Sequence, residues 1–138
     1  MQIKNDGLFV LDPQGDPKPY NLPTEGRVII CGIPGAFTGG CTRKHLPGFV
    51  QAINDGTVTD KVVFIGVNDP MVMDEWNKIH GHPNIDSVGD PLATFTKNVG
   101  KDRHMGDAMG VRSTRYAMLV EDGKFVKFYE NPFIDGVL

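Results

Sequence analysis

Cys41 stands where a glycine-rich stretch, Pro34-Gly35-Ala36-Phe37-Thr38-Gly39-Gly40, turns into a helical pattern, and a cysteine so placed is a candidate nucleophile. Upstream, Arg27-Val28-Ile29-Ile30-Cys31-Gly32-Ile33 reads as a buried strand. Downstream, Leu46, Phe49, Val50 and Ile53 recur at the spacing of one apolar helix face. The spacing predicts a helix that runs to about Asn54 and stops at Gly56, with Cys41 in its first turn. There, unpaired backbone N–H groups and the positive end of the helix dipole point at the sulfur. That setting favours the thiolate, which is the nucleophilic form. Gly39, Gly40 and Thr38 mark a loop at a strand's C-terminal end, so burial of Cys41 as a core residue is not expected.

Magnitudes decide what else is needed. An ordinary thiol, with a pKa near ~8.5, is only a few per cent ionised at pH 7. A value of about 6, as found at helix N-termini, gives roughly 90% thiolate and corresponds to about 3.4 kcal/mol of preference for the anion. One helix terminus supplies ~0.3–1 kcal/mol, and up to ~2 when partly buried. A hydroxyl and a cation must therefore contribute. Thr38, three residues upstream, offers a hydroxyl that can donate to the sulfur or accept from it, although Thr at that position also serves as a helix N-cap.

Two further residues carry chemistry in principle. His45 follows Cys41 by four and shares its helix face, an arrangement open to metal ligation or to a nucleophile–base couple. Two ligands make a weak metal site, and no further Cys, His or Asp cluster completes one, so no metal or cofactor is expected. Cys31 lies in the buried strand and reads as core packing. A Cys31–Cys41 disulfide would need Cα atoms within ~7 Å, which this spacing does not favour without local unfolding.

The pattern Pro34-x-x-x-Thr38-x-x-Cys41 resembles the active-site motif of the peroxiredoxins. The longer run through Thr42, His45, Leu46, Pro47, Gly48 and Phe49 resembles the type II, peroxiredoxin-5-like subfamily. Val67-Asn68-Asp69-Pro70-Met71-Val72-Met73-Asp74-Glu75-Trp76 and Ser113-Thr114-Arg115-Tyr116-Ala117-Met118-Leu119-Val120 extend the likeness in matching order over roughly residues 27 to 127. The resemblance implies a thioredoxin-like fold and a thiol peroxidase that reduces hydrogen peroxide and organic hydroperoxides through a Cys41 sulfenic acid. It assigns the cation to Arg115, with Arg112 as competitor. Pro34 shields the sulfur or simply ends its strand, and the Gly40 and Cys41 N–H groups stabilise charge on the peroxide oxygens. His45 becomes a structural residue near the pocket. Gly39 replaces the proline frequent at that point, which implies a more mobile loop. Neither resolving-cysteine position of the relatives is occupied, so the reductant is an external thiol: glutathione with glutaredoxin, or thioredoxin. Phe37 and the segment Asn68 to Met73 are candidates for a homodimer contact, and the methionines fit helix core or surface equally well. Trp76 reads as core. The alternative function is a redox-responsive interaction protein, in which Cys41 oxidation switches dimerisation or partner binding. A thiol–disulfide oxidoreductase lacks its Cys-x-x-Cys.

Composition bounds these readings. With 138 residues the chain fits one domain, 1–138. A net charge of −3, with no basic cluster beyond Arg43-Lys44, argues against nucleic acid as a partner. No apolar run approaches a membrane span, and Met1 to Asp6 lacks a signal-peptide core, so the expectation is a cytoplasmic protein without membrane contact.

Punctuation along the chain gives the rest. Leu8 to Leu11 reads as an edge strand before a turn at Asp12-Pro13-Gln14-Gly15, and Lys61 to Val67 as a strand buried on both faces. Asp69-Pro70 opens a helix with Val72, Met73, Trp76 and Ile79 inside. Asp90-Pro91 opens another with Leu92, Phe95 and Val99 inside. Pro47 deprives the Arg43 carbonyl of a donor, which predicts a kink. Arg115–Val120 and Lys124–Tyr129 flank a hairpin turn at Asp122-Gly123. The expected architecture is a three-layer α/β/α sandwich on a mixed sheet, with the subfamily's C-terminal helix missing after Asn131.

Overall fold

A computed structural model of the chain describes residues 6–138; residues 1–5 of the N-terminal segment read above lie outside them. Seven strands form one mixed sheet in the order β2-β1-β5-β4-β3-β8-β9. They are β1 (Phe9–Leu11), β2 (Pro17–Pro19), β3 (Arg27–Ile33), β4 (Lys61–Gly66), β5 (Ile85–Gly89), β8 (Tyr116–Glu121) and β9 (Lys124–Phe128). β3, β4 and β5 run parallel at the centre, and β1, β8 and β9 add antiparallel pairings outside them. β6 (Asp102–His104) and β7 (Val111–Ser113) make a separate antiparallel ribbon.

Both faces of the sheet are covered, as central parallel strands require. Ile29, Cys31 and Ile33 of β3 point to one face, where Leu46, Phe49 and Ala52 of α1 (Leu46–Asn54) and Met73 and Trp76 of α2 (Pro70–His80) cover them. Val28 and Ile30 point to the other, under Leu8, Leu22 and Phe95 of α3 (Thr94–Asn98). The result is the three-layer α/β/α sandwich. β1 is not the edge strand expected. β2 occupies that edge, where Pro17 and Pro19 need no ladder partner for an N–H they lack.

Helix starts and stops follow the sequence more closely than inward faces do. Asp69 caps α2 through Val72 N–H at 2.8 Å, with Pro70 in the first turn. Its buried side runs through Met73 and Trp76, and Asn77 is tied to β5 through Ile85 O and Ser87 Oγ. Ile79, expected inside, is 58% exposed because the polar tether of Asn77 turns a neighbouring stripe inward. Asp90 is fully buried, and its carboxylate accepts from Phe95 N, Thr96 N and Thr96 Oγ1. Ala93 adopts φ +57°, so α3 starts only at Thr94 and Leu92 is left 80% exposed, against expectation. The β8–β9 hairpin turns through Asp122 and Gly123, both at positive φ, the geometry that a two-residue turn demands.

Over Cys41–His45 the chain makes a π-helical turn just ahead of Pro47, in which Leu46 N–H bonds back to Cys41 O. Residues 134–137 form one turn, α4 (Ile134–Val137), whose Ile134 and Val137 pack against the α1 side of the core.

That core holds a histidine. His45 is fully buried among the rings of Phe49, Phe64 and Phe133, and its Nε2 lies 3.0 Å from Pro132 O, so Nε2 carries the proton and donates. Burial first, then the Arg115 guanidinium, lower its pKa from 6.5 to about 4, against a smaller upward pull from Pro132 O. A histidine depressed in the folded state contributes stability that is full above pH 6.5 and is lost as pH falls towards 4. We expect wild type to lose about 3 kcal/mol more unfolding free energy between pH 7 and pH 4 than His45→Gln does. Denaturant titrations at each pH test this, and equal slopes for the two proteins would refute it.

Candidate active site

The site grows from the C-terminal end of β3, where the chain leaves the sheet as the loop 34–38. Side-chain bonds hold that loop from three directions. Asn68 Oδ1, just beyond β4, accepts from Ala36 N–H at 2.9 Å. Arg112 Nη1, from β7, donates to Pro34 O at 3.2 Å, while its Nε donates to Met109 O at 2.9 Å. Thr38 Oγ1 donates to Gly35 O at 2.6 Å. The first helical bond runs from Thr42 N–H to Thr38 O at 3.0 Å, so the Gly40 and Cys41 N–H groups precede it in the opening turn.

Cys41 Sγ accepts a hydrogen bond from Arg115 Nη2 at 3.2 Å, which joins residues 74 positions apart. Gly40 permits the approach, because a Cβ there would meet Arg115 Nη2 at 2.9 Å. Trp76 Nε1 donates to Thr42 Oγ1 at 3.1 Å and so fastens the start of the helix to α2. Cys41 is 0% exposed, contrary to its reading as a loop residue outside the core: the opening turn directs its side chain inward against Leu46, Phe49 and the β3 face.

The structure thus brings Cys41, Thr38, Gly40 and Arg115 together and separates the two arginines by task. Arg115 meets the sulfur, and Arg112 braces the loop through the Pro34 carbonyl. Pro34 enters the geometry through that carbonyl. Of the two directions open to the Thr38 hydroxyl, donation is taken up by Gly35 O, and its oxygen is left as an acceptor. His45 faces into the aromatic cage, and its Nδ1 is buried without a hydrogen-bond partner among the described residues. Cys31, fully buried in β3, is a free thiol whose pKa burial pushes well above the usual range. Among the described residues, no group of three or more His, Cys, Asp and Glu side chains is placed to hold a metal ion, and no helix is long and apolar enough to cross a membrane.

Three contributors were not legible as site residues in the sequence. Asn68 lay within a quoted motif but carried no signal that its side chain would cap a loop N–H. Trp76 read only as core. Phe133, whose ring lies 5.5 Å from Arg115 Cζ, belongs to the tail and shows no pattern at all.

The Redoxin family model matches residues 8–136. Peroxiredoxin-2B of Arabidopsis thaliana is 35% identical over 109 residues, which span 76% of this chain and 67% of that protein. A putative peroxisomal peroxiredoxin of Lipomyces kononenkoae is 37% identical over 124 residues, 84% of this chain and 74% of the relative. Among solved structures, reduced Prx3 of Vibrio vulnificus in complex with H2O2 superposes with a TM-score of 0.86 at 25% identity, over 99% of this chain and 94% of that one. Peroxiredoxin 5 of Alvinella pompejana gives a TM-score of 0.76 at 26% identity, over 99% and 91%. With its cysteine at a helix start under an arginine, on a thioredoxin-like sheet, the chain belongs to the redoxin family as a type II peroxiredoxin, an enzyme of the thiol peroxidase class.

Proposed function

We propose that Cys41 is the nucleophile of a peroxidase cycle that reduces hydrogen peroxide and organic hydroperoxides and is regenerated by an external thiol. The Arg115 Nη2–Cys41 Sγ contact at 3.2 Å carries this reading. The sulfur, as thiolate, attacks the hydroxyl oxygen of the hydroperoxide. An S–O bond forms, the O–O bond breaks, and the alkoxide or hydroxide takes up a proton and leaves as alcohol or water. Cys41 becomes a sulfenic acid, oxidised by two electrons as the peroxide is reduced. The Thr38 oxygen, with its own proton committed to Gly35, accepts from the peroxide O–H and orients it. Arg115 and the Gly40 and Cys41 N–H groups stabilise the charge that develops on the leaving oxygen.

Regeneration condenses the sulfenic acid with a thiol to give a mixed disulfide and water, and a second thiol then releases Cys41. Cys31 is an unsuited partner, buried in the centre of β3 with its thiol held protonated. Glutathione with glutaredoxin, or thioredoxin, fills the role. The reading extends to a cytoplasmic setting, where free thiols persist. It also extends to a homodimer through the half-exposed Phe37 and Met71, which flank the loop that Asn68 holds. The rival reading, a redox-responsive interaction protein, draws on the same exposed side chains and differs in having negligible turnover.

The discriminating assay is steady-state peroxide consumption with each reductant system. We expect sustained turnover with at least one of them, loss to background in Cys41→Ser, and near-complete retention in Cys31→Ala. Thr38→Val should fall by about 10- to 100-fold, the range for one hydrogen bond to a charged or reacting group. One stoichiometric oxidation without further cycles would favour the interaction reading, and activity surviving in Cys41→Ser would overturn both.

A further inference from the structure

The two arginines beside the loop are held in different ways. Arg112 is tethered at Nε and Nη1 by backbone carbonyls. Arg115 makes a single hydrogen bond among the described residues, from Nη2 to the Cys41 sulfur, and its Nε is buried without an acceptor. A long side chain with one polar contact needs another constraint to keep that contact aligned. The group lying against it is the ring of Phe133, with Arg115 Cζ 5.5 Å from the centroid, inside cation–π range.

Phe133 is itself anchored. His45 Nε2 donates to Pro132 O at 3.0 Å, one residue before the ring, and the His45 and Phe133 rings meet edge-to-face at 5.4 Å. Phe133 N–H bonds to Asn131 Oδ1 at 2.9 Å, and Ile134, the next residue, packs on the core. Lys44 Nζ lies 4.4 Å from the same ring, so the ring gathers two cations at the site's edge.

The choice of tether has a chemical consequence. A carboxylate on Arg115 would orient the guanidinium but neutralise the charge that the sulfur needs. A π face orients the guanidinium while leaving its N–H donors and most of its charge for the sulfur. We propose that Phe133 is a positioning residue for Arg115: the ring, clamped by the His45–Pro132 hydrogen bond, holds the guanidinium so that Nη2 reaches Cys41 Sγ. The proposal rests on the reading that Arg115 activates Cys41, and it gives the tail segment 131–134 a part in catalysis.

Single-turnover oxidation by hydrogen peroxide tests it, followed through Trp76, the one tryptophan of the sequence, which is bonded to Thr42 beside the reacting cysteine. Phe133→Leu keeps apolar volume and removes the π face, and should slow Cys41 oxidation by about tenfold, in line with a desolvated cation–π contact. Phe133→Tyr should restore the rate to within about twofold of wild type, since the phenol keeps the ring. In an Arg115→Ala background, Phe133→Leu should have no further effect. Phe133→Met, also without a ring, replaces the leucine variant if the latter does not melt cooperatively. A wild-type rate in both ring-free variants, failure of tyrosine to rescue, or equal slowing with and without Arg115 would overturn the proposal. A slow Arg115→Ala beside a fast Phe133→Leu would sink this inference alone. A wild-type rate in Arg115→Ala would sink the underlying reading as well.

Discussion

Everything at the site depends on a guanidinium reaching a sulfur 74 residues away in the chain. The sheet makes the encounter possible. β3 and β8 pair antiparallel with Gly32 opposite Tyr116, so the start of β8 lies beside the end of β3. Arg115 immediately precedes Tyr116, and the loop after Ile33 returns Cys41 to the same end. Gly32 has to be glycine for this register, because any Cβ there would run into the Tyr116 ring. A slip of one residue would turn Arg115 to the opposite face of the sheet.

The two cysteines show what that encounter adds. Both are fully buried free thiols on the same side of the core. Cys31 has burial alone, and burial penalises the charged form, so its thiol is held protonated. Cys41 has in addition a cation at 3.2 Å and the N–H groups of an opening helix turn. What separates the two sulfurs is their neighbours and not their exposure.

Local signals in the sequence are strong wherever one residue type does one job. Asp69-Pro70 starts α2, Asp122-Gly123 turns the hairpin, and the apolar runs give β3 and β4. Faces fared less well, because Ile79 and Leu92 obey the periodicity while Asn77 and the left-handed Ala93 decide which stripe turns inward. Cys41 and Thr38 stand in a local motif, whereas Arg115 was singled out only through the family resemblance and not by any pattern of its own. The π-helical turn, the burial of Cys41, the Thr38–Gly35 bond and the Phe133 platform were not readable. Each depends on which distant segments meet, and no local residue pattern encodes that.

The most direct measurement compares the two thiols within one molecule. One equivalent of hydrogen peroxide, a sulfenic-acid-trapping dione and peptide mass spectrometry report which sulfur has gained oxygen. The trap is expected on Cys41 with Cys31 left as a thiol, and Arg115→Ala is expected to lower labelling of Cys41 to the level of Cys31. Comparable labelling of both cysteines in wild type, or undiminished labelling of Cys41 without Arg115, would contradict it.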